Sequence, residues 1–249
     1  MNSNYKRIVG NILINEGSIC RTRNFIPDYN YTHNFLDSRY FDELTLIDVS
    51  KNSGLISRAK YLEKVSELID NSTLPITLGG NLRNKKDIDY MFTFGADRVL
   101  IGKNLLLNES HLRNSVSTHG SQAIIFALDF DSKLLKTSKE YQSKLVEDAK
   151  RVIDLGVGEI LLNATDRDGM LRGLDTFAPE LLHSQVGVPL IICGGLGNWE
   201  HLANALRLDS VSGVGTSNIL HLTSQAVLSA KHFLTESNIP VRMPWAREV

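Results

Sequence analysis

The feature that most constrains this chain is that it repeats itself. Val188-Pro189-Leu190-Ile191-Ile192-Cys193 is an apolar run of strand length that ends in Gly194-Gly195-Leu196-Gly197. Asn198 follows as a helix N-cap, and Trp199 to Leu206 reads as the helix. Leu74-Pro75-Ile76-Thr77-Leu78-Gly79-Gly80-Asn81 has the same plan, and Pro75 lies 114 positions before Pro189. At that step Gly79-Gly80 meets Gly194-Gly195 after one residue of slippage, and Lys103-Asn104 meets Ser217-Asn218. Further upstream the step is 116. There Glu43-Leu44-Thr45-Leu46 meets Glu159-Ile160-Leu161-Leu162, and the run from Arg7 to Leu13 meets the run from Ala123 to Asp129. Four echoes in one order imply a duplicated half of about four βα units.

Two such halves make eight units, so the expected fold is α/β: a single (β/α)8 TIM barrel with half-barrels of roughly 1–120 and 121–249. The length of 249 residues fits, since this architecture typically takes about 250. No linker or composition break interrupts the chain, so one domain, 1–249, is expected. A net charge of −1 without a basic stripe gives nucleic acid no electrostatic footprint. Cys20 and Cys193 are too few for a disulfide framework, and no His/Cys spacing suggests a metal or another cofactor. The first six residues lack an apolar signal region and no run approaches membrane-span length, so a cytoplasmic protein is expected.

In chain order the expected strands are Arg7 to Ile14, Glu43 to Val49, the run ending at Gly79-Gly80, Asp97 to Gly102, Ala123 to Leu128, Glu159 to Asn163, Pro189 to Cys193 and Ser210 to Gly215. The segment from Asn24 to Tyr31 reads as a mobile loop over one barrel mouth, followed by a short helix. Further helices are expected at Ser57 to Ile69, Asp87 to Phe94, Tyr141 to Leu155, Phe177 to Ser184 and Thr223 to Phe233.

The glycine turns are candidate anion sites, because backbone N–H groups approach a ligand closely there and a helix N-terminus adds partial positive charge. A βα turn that merely needs small residues gives the same pattern in one copy. In such a barrel the strand C-termini form the active face, where Asp48, Asp129, Asp166 and Asp168 all fall. Any one of them serves equally as a helix cap. Asp129 ends an apolar run, and desolvation there raises a carboxyl pKa towards general acid/base use. Its repeat partner is Leu13, which can neither give nor take a proton. At the opposite ends of the strands, Arg7, Glu43, Arg98 and Glu159 are either solvated flanking residues or a ring of salt bridges across the bottom opening.

Arg7-Ile8-Val9, Asp42-Glu43-Leu44, Leu78-Gly79-Gly80, Gly95-Ala96-Asp97-Arg98-Val99, Gly158-Glu159-Ile160, Asp166-Arg167-Asp168-Gly169 and Gly194-Gly195-Leu196-Gly197-Asn198 together resemble the cyclase subunit family of imidazole glycerol phosphate synthase. The resemblance implies a synthase (lyase-type) subunit that forms a heterodimer with a glutaminase, and that receives ammonia at the bottom of the barrel. Arg7, Glu43, Arg98 and Glu159 would be the ammonia gate, with Arg98 where the family usually has Lys, and Asp97 would lie at the docking surface. Both substrate phosphates would sit at the glycine turns and the ends of strands 4 and 8, with Gly79, Gly80, Lys103, Asn104, Gly169, Gly194, Gly195, Ser217 and Asn218 as the phosphate-binding residues. Asp48, Asn163 and Asp168 would line the substrate pocket, and no cofactor is implied.

The departures fall where cyclisation would happen. The family's catalytic pair is an Asp on the first strand and one on the fifth; Asp129 matches the second, while Leu13 takes the first position. Asn81 stands for a third turn glycine, Gly102-Lys103 for Asn-Thr and Asn163 for Thr, and the loop from Asp131 to Lys136 runs almost directly to the fifth helix. The expected function is therefore a diverged paralogue that docks a glutaminase and delivers ammonia, and the resemblance to that family implies bacterial surface-sugar (acetamidino) synthesis as the setting. The alternative is an authentic histidine-pathway cyclase in which Asp48 or Asp168 substitutes. Two further readings are the sister isomerase, which also needs the missing acid, and a non-catalytic phosphate-sugar sensor.

Overall fold

The computed structural model describes residues 5–23, 26–30, 40–51, 54–70, 72–217 and 226–243. Strands β1 (Arg7–Asn15), β2 (Ser18–Arg23), β3 (Ile26–Asn30), β4 (Glu43–Asp48), β5 (Ile76–Gly79), β6 (Arg98–Ile101), β7 (Ile124–Phe130), β8 (Glu159–Ala164), β9 (Leu190–Cys193) and β10 (Gly213–Thr216) form one sheet. β1 and β4 to β10 are parallel, and β10 pairs back onto β1 from Arg7↔Gly213 to Gly10↔Thr216. The result is a closed barrel of eight parallel strands, so the expected (β/α)8 fold is the one observed. Around it lie α1 (Leu55–Ile69), α2 (Lys85–Thr93), α3 (Glu109–His119), α4 (Ser132–Thr137), α5 (Lys139–Asp154), α6 (Phe177–His183), α7 (Trp199–Leu206) and α8 (Ala226–Glu236). None of the described helices is long and apolar enough to cross a membrane.

Barrel strands bury both faces, which is why they read as apolar runs rather than as alternations. Ile8, Leu44, Leu46, Leu78 and Phe126 face the helix layer, while Val9, Leu100, Ile125, Leu161, Ile191 and Cys193 form a separate cluster in the barrel interior. The two turns that announced the repeat correspond more closely than their sequences suggested. β5 ends at Gly79 and β9 at Cys193, so the step of 114 holds without slippage and Gly80, not Gly79, is the counterpart of Gly194. Asn84 and Asn198 both cap the following helix, accepting the N–H of Asp87 and of His201 through their side chains.

Two local expectations change. The segment after the first strand is an antiparallel hairpin rather than an open loop. Glu16 (φ 50°) and Gly17 (φ 81°) turn β1 into β2, and β2 pairs with β3. Positive φ at both central residues matches the twist of the flanking strands, so Asn15-Glu16-Gly17-Ser18 was the signal. Asn24, Phe25, Tyr31 and the short helix expected next lie outside the described residues. After β7 the chain does not run straight into the fifth helix: Asp131 accepts the N–H groups of Lys133 (2.8 Å) and Leu134 (2.9 Å) and caps α4 as a separate turn.

Candidate functional site

The bottom of the barrel is closed by charge. Arg7, Glu43, Arg98 and Glu159 are the first residues of β1, β4, β6 and β8, and all four meet. Arg7 contacts Glu43 at 2.9 Å and also pairs with Glu159; Arg98 contacts Glu159 at 2.8 Å and also pairs with Glu43. Each guanidinium thus spans both carboxylates, and the four side chains make a closed cycle. Glu43 and Glu159 are only 8% and 5% exposed, so the two arginines take the place of the water their carboxylates lose on burial. Burial works against the charge on Arg7, but its bonds to Glu159 and Glu43 outweigh it and hold the guanidinium above its ordinary pKa. Ser212 is a fifth member, missed in the sequence: its Oγ accepts from Arg7 at 3.1 Å and donates to the Leu190 carbonyl at 2.8 Å. Asp97 sits beside the ring, exposed, and accepts the Ile76 N–H at 2.8 Å. A shallow depression there is lined by Glu43, Asp97, Arg98 and His119, among others.

Above the interior apolar cluster a cavity of about 360 Å³ opens at the strand C-termini, within the usual range for a small-molecule site. Leu13, Asp48, Asn104, Asp129, Asn163, Asp168 and Ser217 line it, as do Gly80, Gly169, Gly194 and Gly195 of the loops. Gly79 ends β5 instead, where an added Cβ would press on Leu100. Lys103 is exposed at the rim, with Nζ 3.3 Å from the Asp129 carbonyl oxygen. Asn218 lies outside the described residues.

Asp129 is the carboxylate the cavity perturbs. Burial pushes its pKa up, while a bond from Asn163 and the charge of Lys103 pull the other way; the net direction is upward. Asn163 Nδ2 donates to Asp129 Oδ1 at 2.9 Å, and the Cys193 thiol donates to Asn163 Oδ1 at 3.2 Å. The thiol therefore fixes which end of the amide faces the carboxylate. Cys193 is itself held well above the ordinary thiol pKa by burial and by Asp129 and Asp168, which suits a donor rather than a nucleophile. The other top-face carboxylates are tied in place. Asp48 accepts the Ser50 N–H at 3.0 Å, Asp168 accepts the Thr22 hydroxyl of the hairpin at 2.6 Å, and Asp166 accepts both Ser132 groups at 2.8 Å. Asp166 thus anchors α4.

Both glycine turns are left-handed: Gly80 (φ 89°) with Asn81 (φ 53°), and Gly194 (φ 94°) with Gly195 (φ 97°). A Cβ on Gly80 would overlap the Asp48 carbonyl, and one on Gly194 the Ala164 carbonyl, so each turn packs on the end of the preceding barrel strand. Asn81 tolerates its conformation by donating to the Ser50 carbonyl at 3.0 Å. In the second turn Gly197 donates its N–H to His201 Nδ1 at 3.3 Å.

Comparison with known proteins gives this arrangement a lineage. The family described as histidine biosynthesis protein matches residues 16–225. The chain belongs to that family. The matched span of this histidine biosynthesis family member holds Glu43, Arg98 and Glu159, the cavity aspartates and both glycine turns, while Arg7 and Leu13 precede it. A relative, the imidazole glycerol phosphate synthase subunit HisF of Chloroherpeton thalassium, is 30% identical over 216 residues, 84% of this chain and 85% of its own length.

Proposed function

We propose that this family member is a cyclase-type subunit of a glutamine-dependent complex like imidazole glycerol phosphate synthase. In this reading a glutaminase docks at the strand N-termini, around Asp97, and ammonia passes the Arg7, Glu43, Arg98, Glu159 ring into the single duplicated barrel. The observation that carries the reading is the pairing of a closed charged ring at one end with Leu13 and Asp129 in one cavity at the other. The HisF relative supports the kind of activity and the kind of partner.

The physics of the lumen favours the neutral molecule. The ring is balanced in charge, but an ammonium ion beyond it would meet the apolar cluster of the interior, where an unpaired charge is strongly disfavoured; neutral ammonia avoids that penalty. For passage, one arginine must release one carboxylate, and the bond that Arg7 already makes to Ser212 Oγ would steady it during that movement. In the cavity the turns at Gly80 and Gly194, with Gly169, Lys103, Asn104, Ser217 and Asn218, take phosphate groups, and Asp48, Asn163 and Asp168 shape the pocket.

Cyclisation needs one group to remove a proton and another to give one, and losing either costs about 10²–10⁴ in rate. With Leu13 in the strand-1 position, Asp129 works alone. We therefore read the protein as diverged towards ammonia delivery, in bacterial surface-sugar (acetamidino) synthesis. A second reading, the authentic cyclase, draws on Asp48 and Asp168 lining the same cavity. Complementation separates the two: a strain lacking the histidine-pathway cyclase should stay auxotrophic when given this protein with its glutaminase, and growth at the ordinary rate would favour the second reading.

A further inference from the structure

The two ends of the barrel also differ on their outer surface. Every exposed leucine or isoleucine among the described residues stands at one end: Ile26, Leu55, Ile56, Leu107, Leu134 and Leu171 all lie on segments that follow strand C-termini. Leu55, Leu107 and Ile56 are 92%, 89% and 75% exposed. Single apolar residues scattered over a surface are ordinary. Six that share one end are not scattered, and such grouping marks an interaction site.

Charge follows the same division. Six strands, β1 and β4 to β8, are each followed by a segment with an exposed cation: Arg23, Lys51, Arg83, Lys103, Lys133 and Arg172. The exposed carboxylates of these segments, among the described residues, are Glu16 and Asp28, both on the hairpin. The whole chain carries a net charge of −1, so this face is positive against the average. On five of the six segments the cation lies within four residues of an exposed aliphatic side chain, as in Lys133-Leu134 and Leu171-Arg172.

The cations ring the cavity without lining it, for the charged residues of its lining are Asp48, Asp129 and Asp168. As a set they suit a surface laid across the mouth. A bilayer interface is anchored chiefly by Trp and Tyr, and the exposed tyrosines here, Tyr5 and Tyr90, stand towards the opposite end. A second copy of this face would meet it with like charge, which costs several kcal/mol.

We propose that the strand C-terminal face docks a second protein, one that presents apolar patches bordered by aspartate and glutamate, at the end opposite the glutaminase. Its seat covers the cavity mouth. In the delivery reading above, on which this role rests, that protein holds the acceptor, and the docked face keeps ammonia from bulk water as it changes hands.

The test places the photo-crosslinking residue p-benzoyl-phenylalanine at Leu55, at Leu107 or, as the control, at Tyr90 of the full chain in the cells that make it. The expected result is one protein, other than the glutaminase, crosslinked from Leu55 and Leu107 but not from Tyr90. Once purified, that protein should bind the full chain with an affinity that falls as salt is added, because exposed charges are screened. Lys51→Glu with Lys133→Glu should weaken binding by about tenfold or more, Leu107→Ser should weaken it as well, and Lys51→Arg with Lys133→Arg should retain it. All these positions are exposed, and melting curves confirm that each variant folds. No crosslink above the Tyr90 control, capture of the glutaminase alone, or binding indifferent to the charge reversals overturns the proposal; so does binding of the face to phosphatidylglycerol vesicles in place of a protein. Ammonia is scored separately, in the complex with the glutaminase. Docking that leaves the release of labelled ammonia into bulk water unchanged keeps the surface and removes the delivery reading; transfer of ammonia to an acceptor with this face unoccupied does the reverse.

Discussion

At the scale of single residues, the account turns on what surrounds Asp129. Burial raises its pKa in the folded state, so folding takes up a proton there. The protonated form's contribution to stability is fully present below the unfolded pKa and is lost as pH rises through the raised folded value. Wild type should therefore lose thermal stability relative to Asp129→Asn as pH rises from acid towards neutral; a melting-temperature difference that stays flat with pH would contradict this. The ring makes the opposite prediction about charge. Glu159→Ala leaves two arginines short of a partner in a buried cycle, and urea unfolding should show a loss of about 3 kcal/mol. A loss within about 0.5 kcal/mol, the range of an ordinary surface substitution, would mean the ring is solvated. These four charges were legible in the sequence because each opens an apolar strand, and buried charges must pair. Ser212 and the bond from Cys193 to Asn163 were not, because short polar side chains find partners through a strand register that brings residues far apart in sequence together.

At the scale of elements, the repeat can be tested by symmetry. Asn84→Ala and Asn198→Ala remove equivalent caps from α2 and α7, and each should cost about 1 kcal/mol by chemical denaturation. Sharply unequal costs would mean that one turn has lost its structural role. The hairpin makes a second demand: Gly17 has φ 81° and an added Cβ would sit 3.0 Å from the Lys60 side chain, so Gly17→Ala should destabilise by at least about 1 kcal/mol. The strands and the glycine turns were readable because apolar runs and their punctuation are local signals. The hairpin and α4 were harder. Glu16-Gly17 is a weaker turn signal than Asn-Gly, and the capping of α4 by Asp131 is secured by contacts from Ser132 to Asp166 on a distant loop.

At the scale of the whole molecule, the barrel has two ends of different chemistry. The strand N-termini hold a complete ring of four charges with Asp97 beside it, and the C-termini hold a cavity lined by Leu13 and Asp129. The repeat predicted the barrel, and membership of the histidine biosynthesis protein family agrees with it. The central claim is that this barrel passes ammonia without cyclising. The direct measurement supplies the complex of this protein and its glutaminase with glutamine labelled at the amide nitrogen, together with the ribonucleotide substrate of imidazole glycerol phosphate synthase. The account predicts that glutamine is consumed, that labelled ammonia emerges, and that labelled imidazole glycerol phosphate stays at background. Stoichiometric transfer of the label into imidazole glycerol phosphate at an ordinary rate would contradict it.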